Sequence, residues 1–563
     1  MKKGIILFTV IMLVTTITVL GLLFFKPIDP KDVVKAFEKN KTNLVIEDLV
    51  IDTEKHPIVD EGILIPISTL KEYVYKDIEL SKKYDRLYLG MKAPKFKLET
   101  DNLTEKIKEG VNLNFLVKEI NDTHYIDIEG FEKIFNIKVN YIEDTNILTI
   151  DKINTNMKKG KITERTYLRP KDSFFSFRMD KLNKGDEIKV FNDDGKWLKI
   201  RTEKGYIGYV VNKKVKIIKD EKKTNNKLNS VRSEWNKEGK INLVWDYVRK
   251  ESPDLAKDEK IKGLDVISPT WFSIVDESGY IVNNGDINYV KNAHDKGYKV
   301  WALVDNSFDR DLTNELLKSE ESQNRVIEQL IVYSSLYNLD GINIDFENVY
   351  YKDRDRLTSF ISKLTKALKE QKLVVSMDMT VPSSSLYWSK FYDREKLGDI
   401  LDYCMVMTYD EHWATSPESG SVASIDWVRR GIEKTLKYIP KEKVLMGIPF
   451  YTREWEEKKV NGKIKVSSKA LSMESVKEKI EEKDLKVKWL KDEGQNYTEY
   501  NKDDNKYRIW IEDERSIKLK ASLVNEYDIA GVCSWRKGFE KEVIWTVLNN
   551  VIKKDKELVM KGE

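Results

Sequence analysis

The stretch Asp340-Gly341-Ile342-Asn343-Ile344-Asp345-Phe346-Glu347-Asn348 sets acids and amides inside an apolar run. A strand sends alternate side chains to opposite faces, so Asn343, Asp345 and Glu347 share one face and Ile342, Ile344 and Phe346 the other. Two close carboxyls interact, and because paired negative charge is costly, one of them is expected to keep a proton near neutral pH. Such a group can do general acid–base chemistry, of which protonation of a glycosidic oxygen is one case. The alternative is a structural acidic patch, which would need strong compensation for polar groups at a buried strand end.

Chemistry of this kind needs a scaffold that holds a strand end at a cleft. From about residue 240, apolar runs alternate with amphipathic stretches such as Arg325–Tyr337 and Asp355–Glu370. The runs are Ile241–Val248, Leu264–Ser268, Lys299–Val304, Gly341–Phe346, Leu373–Thr380, Leu401–Tyr409, Val444–Phe450 and Ile529–Trp535. Near-continuous apolar strands with crossover helices imply a parallel sheet buried on both faces, and eight such units fit a TIM (β/α)8 barrel. An open doubly wound sheet is disfavoured because no glycine-rich loop follows the first run. In a TIM barrel the chemistry lies at the C-terminal strand ends, where Asp345 and Glu347 fall on the fourth strand. Residues 456–525, between strands seven and eight, are too long for one helix and read as a small α+β insertion.

Asp-Gly-x-x-x-Asp-x-Glu on a fourth barrel strand resembles the signature of glycoside hydrolase family 18, and the resemblance covers residues 237–553. It implies retaining hydrolysis without an enzyme nucleophile, the substrate's own 2-acetamido oxygen attacking the anomeric carbon. It makes Glu347 the general acid and then base, Asp345 the group that orients the acetamido and stabilises the oxazolinium ion, and Asp340 and Asn343 supporting residues. The family often has Asp where this chain has Asn343, and an amide cannot share a proton as an acid would. Strand six ends in Met407-Thr408-Tyr409-Asp410, matching the family's Met-x-Tyr-Asp, so Tyr409 joins the catalytic set and Met407 and Asp410 the substrate-binding set. Strand eight ends in Ser534-Trp535-Arg536, with Trp535 at the position of the family's sugar-floor tryptophan; Trp271 is a further substrate-binding candidate that could equally be core. In place of the Ser-x-Gly-Gly of chitinases, strand three carries Trp301-Ala302-Leu303-Val304-Asp305-Asn306. Together with Ser-Pro-Thr-Trp at 268–271, this looks like the bacterial branch related to spore-cortex-lytic enzymes.

Lys2 and Lys3 precede an uncharged apolar run, Ile5 to Phe25, long enough to span a bilayer and followed by no small-x-small cleavage site. Residues 1–27 therefore read as an uncleaved signal anchor, with a cleaved signal peptide as the alternative, and the remainder lies outside the membrane. Residues 40–153 carry an ungapped repeat: Leu64–Leu70 recurs at Tyr125–Phe131, Ile78 at Val139 and Leu87-Tyr88-Leu89 at Leu148-Thr149-Ile150. Each copy reads as strand, short helix and two strands, and the pattern resembles the copper amine oxidase N-terminal domain. Residues 159–218, with short strands between glycine turns such as Gly195-Lys196-Trp197 and Gly205-Tyr206-Ile207-Gly208, resemble a bacterial SH3-type barrel. The polar stretch 219–236 reads as a linker.

The 563 residues hold 98 basic and 94 acidic side chains, a balance that does not support nucleic-acid binding. Four histidines and two cysteines argue against a metal site, and no cofactor is implied. Cys404 and Cys533, in separate apolar runs, read as buried free thiols. The expected protein is a single-pass bacterial membrane protein with an extracytoplasmic glycosidase acting on an N-acetylglucosamine polymer, peptidoglycan first and chitin second. Alternatives are a chitinase or endo-N-acetylglucosaminidase on other glycans, or a non-catalytic glycan-binding wall protein.

Overall fold

The computed structural model describes Met12, Thr15 and residues 26–553 apart from 61, 84–85, 94–97, 154–156, 193–194, 219–234 and 250. Apart from Met12 and Thr15, the predicted membrane-spanning run Ile5–Phe25 lies outside the described residues, as does nearly all of the predicted linker 219–236. Among the described residues no helix is long and apolar enough to cross a membrane.

The eight apolar runs form the strands β1 (Ile241–Asp246), β2 (Val266–Ile274), β3 (Lys299–Asp305), β4 (Gly341–Asp345), β5 (Val374–Thr380), β6 (Tyr403–Met407), β7 (Val444–Pro449) and β8 (Gly531–Trp535). Neighbours pair in parallel, and β1 pairs with both β2 and β8, so the sheet closes into a barrel. Closure leaves no exposed edge and buries both faces, which is why these strands are apolar on both sides. The interior is filled by Ile241, Leu243, Trp245, Val266, Trp301, Leu303, Val374, Met405, Leu445 and Cys533. Gly341 opens β4 because a Cβ there would meet the Trp301 ring at 2.6 Å. Several outer helices begin where a side chain accepts from free backbone N–H groups, as Asp286, Asp309, Ser319 and Asp513 do. Cys404 and Cys533 are both buried free thiols.

The insertion after β7 occupies 451–511 rather than the expected 456–525. It is a five-stranded antiparallel sheet starting with the hairpin Tyr451–Val460 and Lys463–Ser472, with the helix Met473–Glu482. The helix Glu514–Glu526 belongs to the barrel's outer ring and buries Ile517, Ala521 and Val524. Its apolar stripe is the same whether it covers a barrel or a subdomain, so sequence could not place that boundary. Residues 98–115, read from the sequence as part of the 40–153 repeat unit, form one compact unit with the barrel. There Asn114 N donates to Tyr333 Oη at 2.9 Å, Asn283 Nδ2 donates to Asn114 O at 2.9 Å, and Asn102 donates to Glu370.

Among the described residues, the other unit comprises those up to 93 and 116–218. Both repeat copies have the order strand, helical turn, strand, strand, from Ile63–Pro66 to Arg86–Ala93 and from Thr123–Asp127 to Ile147–Lys152. The first strands of the two copies pair with each other, Ile65 opposite Ile126. Residues 158–218 form a five-stranded antiparallel sheet. Arg201, 3% exposed, joins it to the repeats by binding both oxygens of Asp151 and the Glu47 carbonyl.

Candidate active site

Strand β4 ends in the acids that alternation placed on one face. Asp345, 8% exposed, closes the strand level with Asp305 on β3, and Glu347 follows two residues later at the mouth. The Glu347 backbone is braced by the buried Asn306, whose Oδ1 accepts from Glu347 N at 3.1 Å and whose Nδ2 donates to Glu347 O at 2.8 Å. Tyr392 donates to the intervening Phe346 carbonyl at 2.9 Å. The acid's main chain is thus held from two sides, while burial, with Asp410 and Asp305 nearby, pushes its carboxyl up to about 7. Burial, then Glu347, Asp378 and Asp305, hold the Asp345 carboxyl well above the usual carboxylate range. Asp305 is also raised by burial, offset by hydrogen bonds from Ser273 Oγ at 2.7 Å and the Ser307 amide at 2.7 Å.

Asn343 is fully buried inside the barrel. Its Nδ2 donates to Asp378 Oδ2 at 2.8 Å and its Oδ1 accepts from Ser376 Oγ at 2.8 Å, both partners being on β5. Met407 ends β6, partly buried, and Tyr409 and Asp410 follow it to the mouth. The Tyr409 ring meets Trp245 and Tyr451 edge-on at 6.5 and 6.3 Å. Asp410, with φ at +61°, turns its carboxylate to Tyr451 Oη at 2.5 Å and Arg453 Nη2 at 3.3 Å. Trp535 ends β8 partly exposed, its ring 6.0 Å from Trp245 and 6.3 Å from Tyr247. Trp535 and Tyr247, with Tyr409 beside them and the buried Trp245 ring behind, give the mouth an aromatic face near the acids, a surface suited to the apolar face of a sugar.

Two expected positions are corrected. Asp340 lies at the N-terminal end of β4, about 16 Å from Asp345 along the strand. It binds His294 Nε2 at 2.6 Å, Lys299 Nζ at 2.8 Å and the Val300 amide at 3.0 Å, a clamp at the far end of the barrel. Burial disfavours its charge, but these partners outweigh it and hold its carboxyl below the ordinary value. Trp271 is fully buried, donates to Ser252 Oγ at 2.9 Å and packs on Tyr289 at 5.2 Å, so it offers no surface to a ligand. Mid-strand on β2, it points to the helices, and its position in sequence could not show this.

Sequence reasoning missed Asp378, Asn306, Tyr451 and Arg453. Asp378 was findable, since Ser376-x-Asp378 interrupts an apolar strand by the same alternation that revealed Asp345. Tyr451 and Arg453 begin the insertion and reach the site only because that hairpin folds back toward β6, which no local pattern announces.

Residues 256–539 match the profile of glycosyl hydrolases family 18, and residues 165–216 that of a bacterial SH3 domain. The chain is 30% identical over 285 residues to the uncharacterized glycosylase YvbX of Bacillus subtilis, covering 48% of this chain and 80% of that protein. It is 24% identical over 259 residues to the cortical fragment-lytic enzyme of Bacillus subtilis, spanning 45% of this chain but only 59% of that protein. Among solved structures, the C-terminal domain of a putative chitinase from Desulfitobacterium hafniense superimposes with a TM-score of 0.51 at 28% identity, covering 56% of this chain and all of that one. With the acids of β4 at the mouth of a closed eight-stranded barrel and half its length matched, the chain belongs to glycosyl hydrolase family 18 and is a glycoside hydrolase.

Proposed function

We propose that this protein cleaves β-glycosidic bonds of N-acetylglucosamine in cell-wall peptidoglycan, with retention of configuration and with the substrate's acetamido oxygen as nucleophile. One observation supports the mechanism: Asp345, the carboxyl two residues before Glu347, is buried beside other acids, and that burial disfavours the anion an enzyme nucleophile would need. Glu347, near 7, keeps its proton for the leaving oxygen and later removes one from water. Asp345 then orients the acetamido group, Tyr409 and Asp410 hold the sugar around it, Met407 lines the pocket and Trp535 is the floor.

Peptidoglycan is favoured over chitin by the bacterial SH3 domain and by the likeness to a protein named for lysing cortical fragments. The run Ile5–Phe25 supports a membrane anchor that leaves the hydrolase outside the cell. The repeats at 40–153, less the segment that joins the barrel, serve as a spacer of the copper amine oxidase N-terminal type. The test is mass spectrometry of products from defined muropeptides and from chitin oligomers. New N-acetylglucosamine reducing ends from muropeptides are expected. Turnover of chitin oligomers alone would make the protein a chitinase, and turnover of neither would leave a glycan-binding role.

A further inference from the structure

Strand β5 carries a buried carboxyl to which the mechanism above gives no task. Asp378 is 2% exposed. It lies one residue beyond Met377, whose partner on β4 is Ile344, so it stands level with Asp345 on the neighbouring strand, at the roughly 4.8 Å separation of paired strands. Its Oδ2 accepts from Asn343 Nδ2, and Ser376 Oγ fixes that amide by donating to its oxygen. Its Oδ1 is buried and makes no well-formed hydrogen bond, the Trp245 indole being the donor that faces the carboxyl, and Oδ1 of Asp345 is buried without a hydrogen-bond partner. Two level, buried carboxyls cannot both carry charge cheaply, and one proton between them serves both Oδ1 atoms.

The geometry points to Asp378 as the positioning residue that shares one proton with Asp345 and takes it when Asp345 must become an anion. Asn343 holds Asp378 for this task and, as an amide, cannot perform it. The inference rests on the substrate-assisted reading. As the acetamido oxygen bonds to the anomeric carbon, the bond to the leaving oxygen breaks and Glu347 gives that oxygen its proton. The O–H bond at Asp345 breaks, one at Asp378 forms, and Asp345 faces the oxazolinium ion as a carboxylate. When water attacks the anomeric carbon, the oxazolinium ring opens, Glu347 takes the water's proton and the shared proton returns to Asp345, so the pair gains and loses nothing. Other groups facing Asp378 are Glu347 after β4, Tyr409 after β6, Tyr392 after β5, Cys533 on β8 and the indole of Trp245 on β1, while Asp305 on β3 faces Asp345. Burial pushes Tyr409, Tyr392 and Cys533 up, which leaves the acids to set the pH response.

The test compares the full wild-type chain, Asp378→Asn and the exchange variant Asn343→Asp/Asp378→Asn on a 4-nitrophenyl N,N′-diacetylchitobioside. Asp378→Asn is expected to lower kcat about 100-fold with KM within about threefold, and to move the acidic limb of the pH profile down, because Asp345 ionises more easily without its neighbour. The exchange variant is expected to recover at least about tenfold of that loss and to bring the limb back up. Wild-type kcat and an unmoved limb in Asp378→Asn overturn the assignment. So does an exchange variant no faster than a folded Asp378→Asn. If the single variant does not fold, the exchange variant decides: kcat within about tenfold of wild type supports sharing, and kcat as low as that of Glu347→Gln refutes it. Failure of the substrate-assisted reading shows separately, as full-rate cleavage by wild type of the analogue whose acetamido group is replaced by a free amine.

Discussion

Replacing Glu347 with Gln removes the proposed proton donor while nearly conserving shape, and it should move activity and stability in opposite directions. Loss of a general acid costs about 10²- to 10⁴-fold in rate, or about 3–5 kcal/mol of barrier. The stability effect follows from the carboxyl's rise from 4.5 to about 7, caused chiefly by burial. A raised carboxyl favours the folded state at low pH, and that contribution is lost as pH climbs from the unfolded value through the folded one. The shift corresponds to about 3 kcal/mol carried by wild type above pH 7 and not by the Gln variant. At pH 4 this source makes no difference; at pH 8 Glu347→Gln should melt roughly 4 °C higher than wild type, given the usual unfolding entropy for a unit of this size. The assays are thermal melts across pH 4–8 and turnover of the nitrophenyl glycoside, whose wild-type rate should fall above about pH 7 as the acid ionises. Equal rates for the two proteins, or a melting difference that does not grow with pH, would refute the placement of the acid in a desolvating mouth.

Asp340→Asn should cost about 1–3 kcal/mol of stability by weakening the clamp with His294 and Lys299, yet leave kcat unchanged; denaturant melts with parallel kinetics check both. Trp271→Ala should destabilise by about 3–5 kcal/mol through the cavity it leaves, while Trp271→Phe should fold with unaltered KM, and a raised KM would return Trp271 to the substrate site. Deleting residues 1–27 should move the expressed protein from the membrane to the soluble fraction; a deletion variant still in the membrane fraction would exclude that segment as the anchor.

The order of the catalytic barrel was legible in sequence because each parallel strand, buried on both faces, must be apolar nearly throughout. Alternation within β4 sufficed to put Asn343, Asp345 and Glu347 on one face, since the period of a strand is set by covalent geometry. Local patterns are blind to which strand ends meet. Closure of β1 onto β8 set Trp535 beside Trp245, and β5 lying next to β4 put Asp378 level with Asp345. The hairpin after β7 carried Tyr451 and Arg453 to Asp410. Asp340 precedes the first residue of β4, so the rise of the strand alone sets it at the far end of the barrel, whereas Trp271 sits at a plausible sequence position and only tertiary packing buried it against the outer helices. Sequence alone determined which groups could act as acids; only the tertiary structure decided which of them were desolvated, because burial and neighbouring charge come from residues distant in the chain.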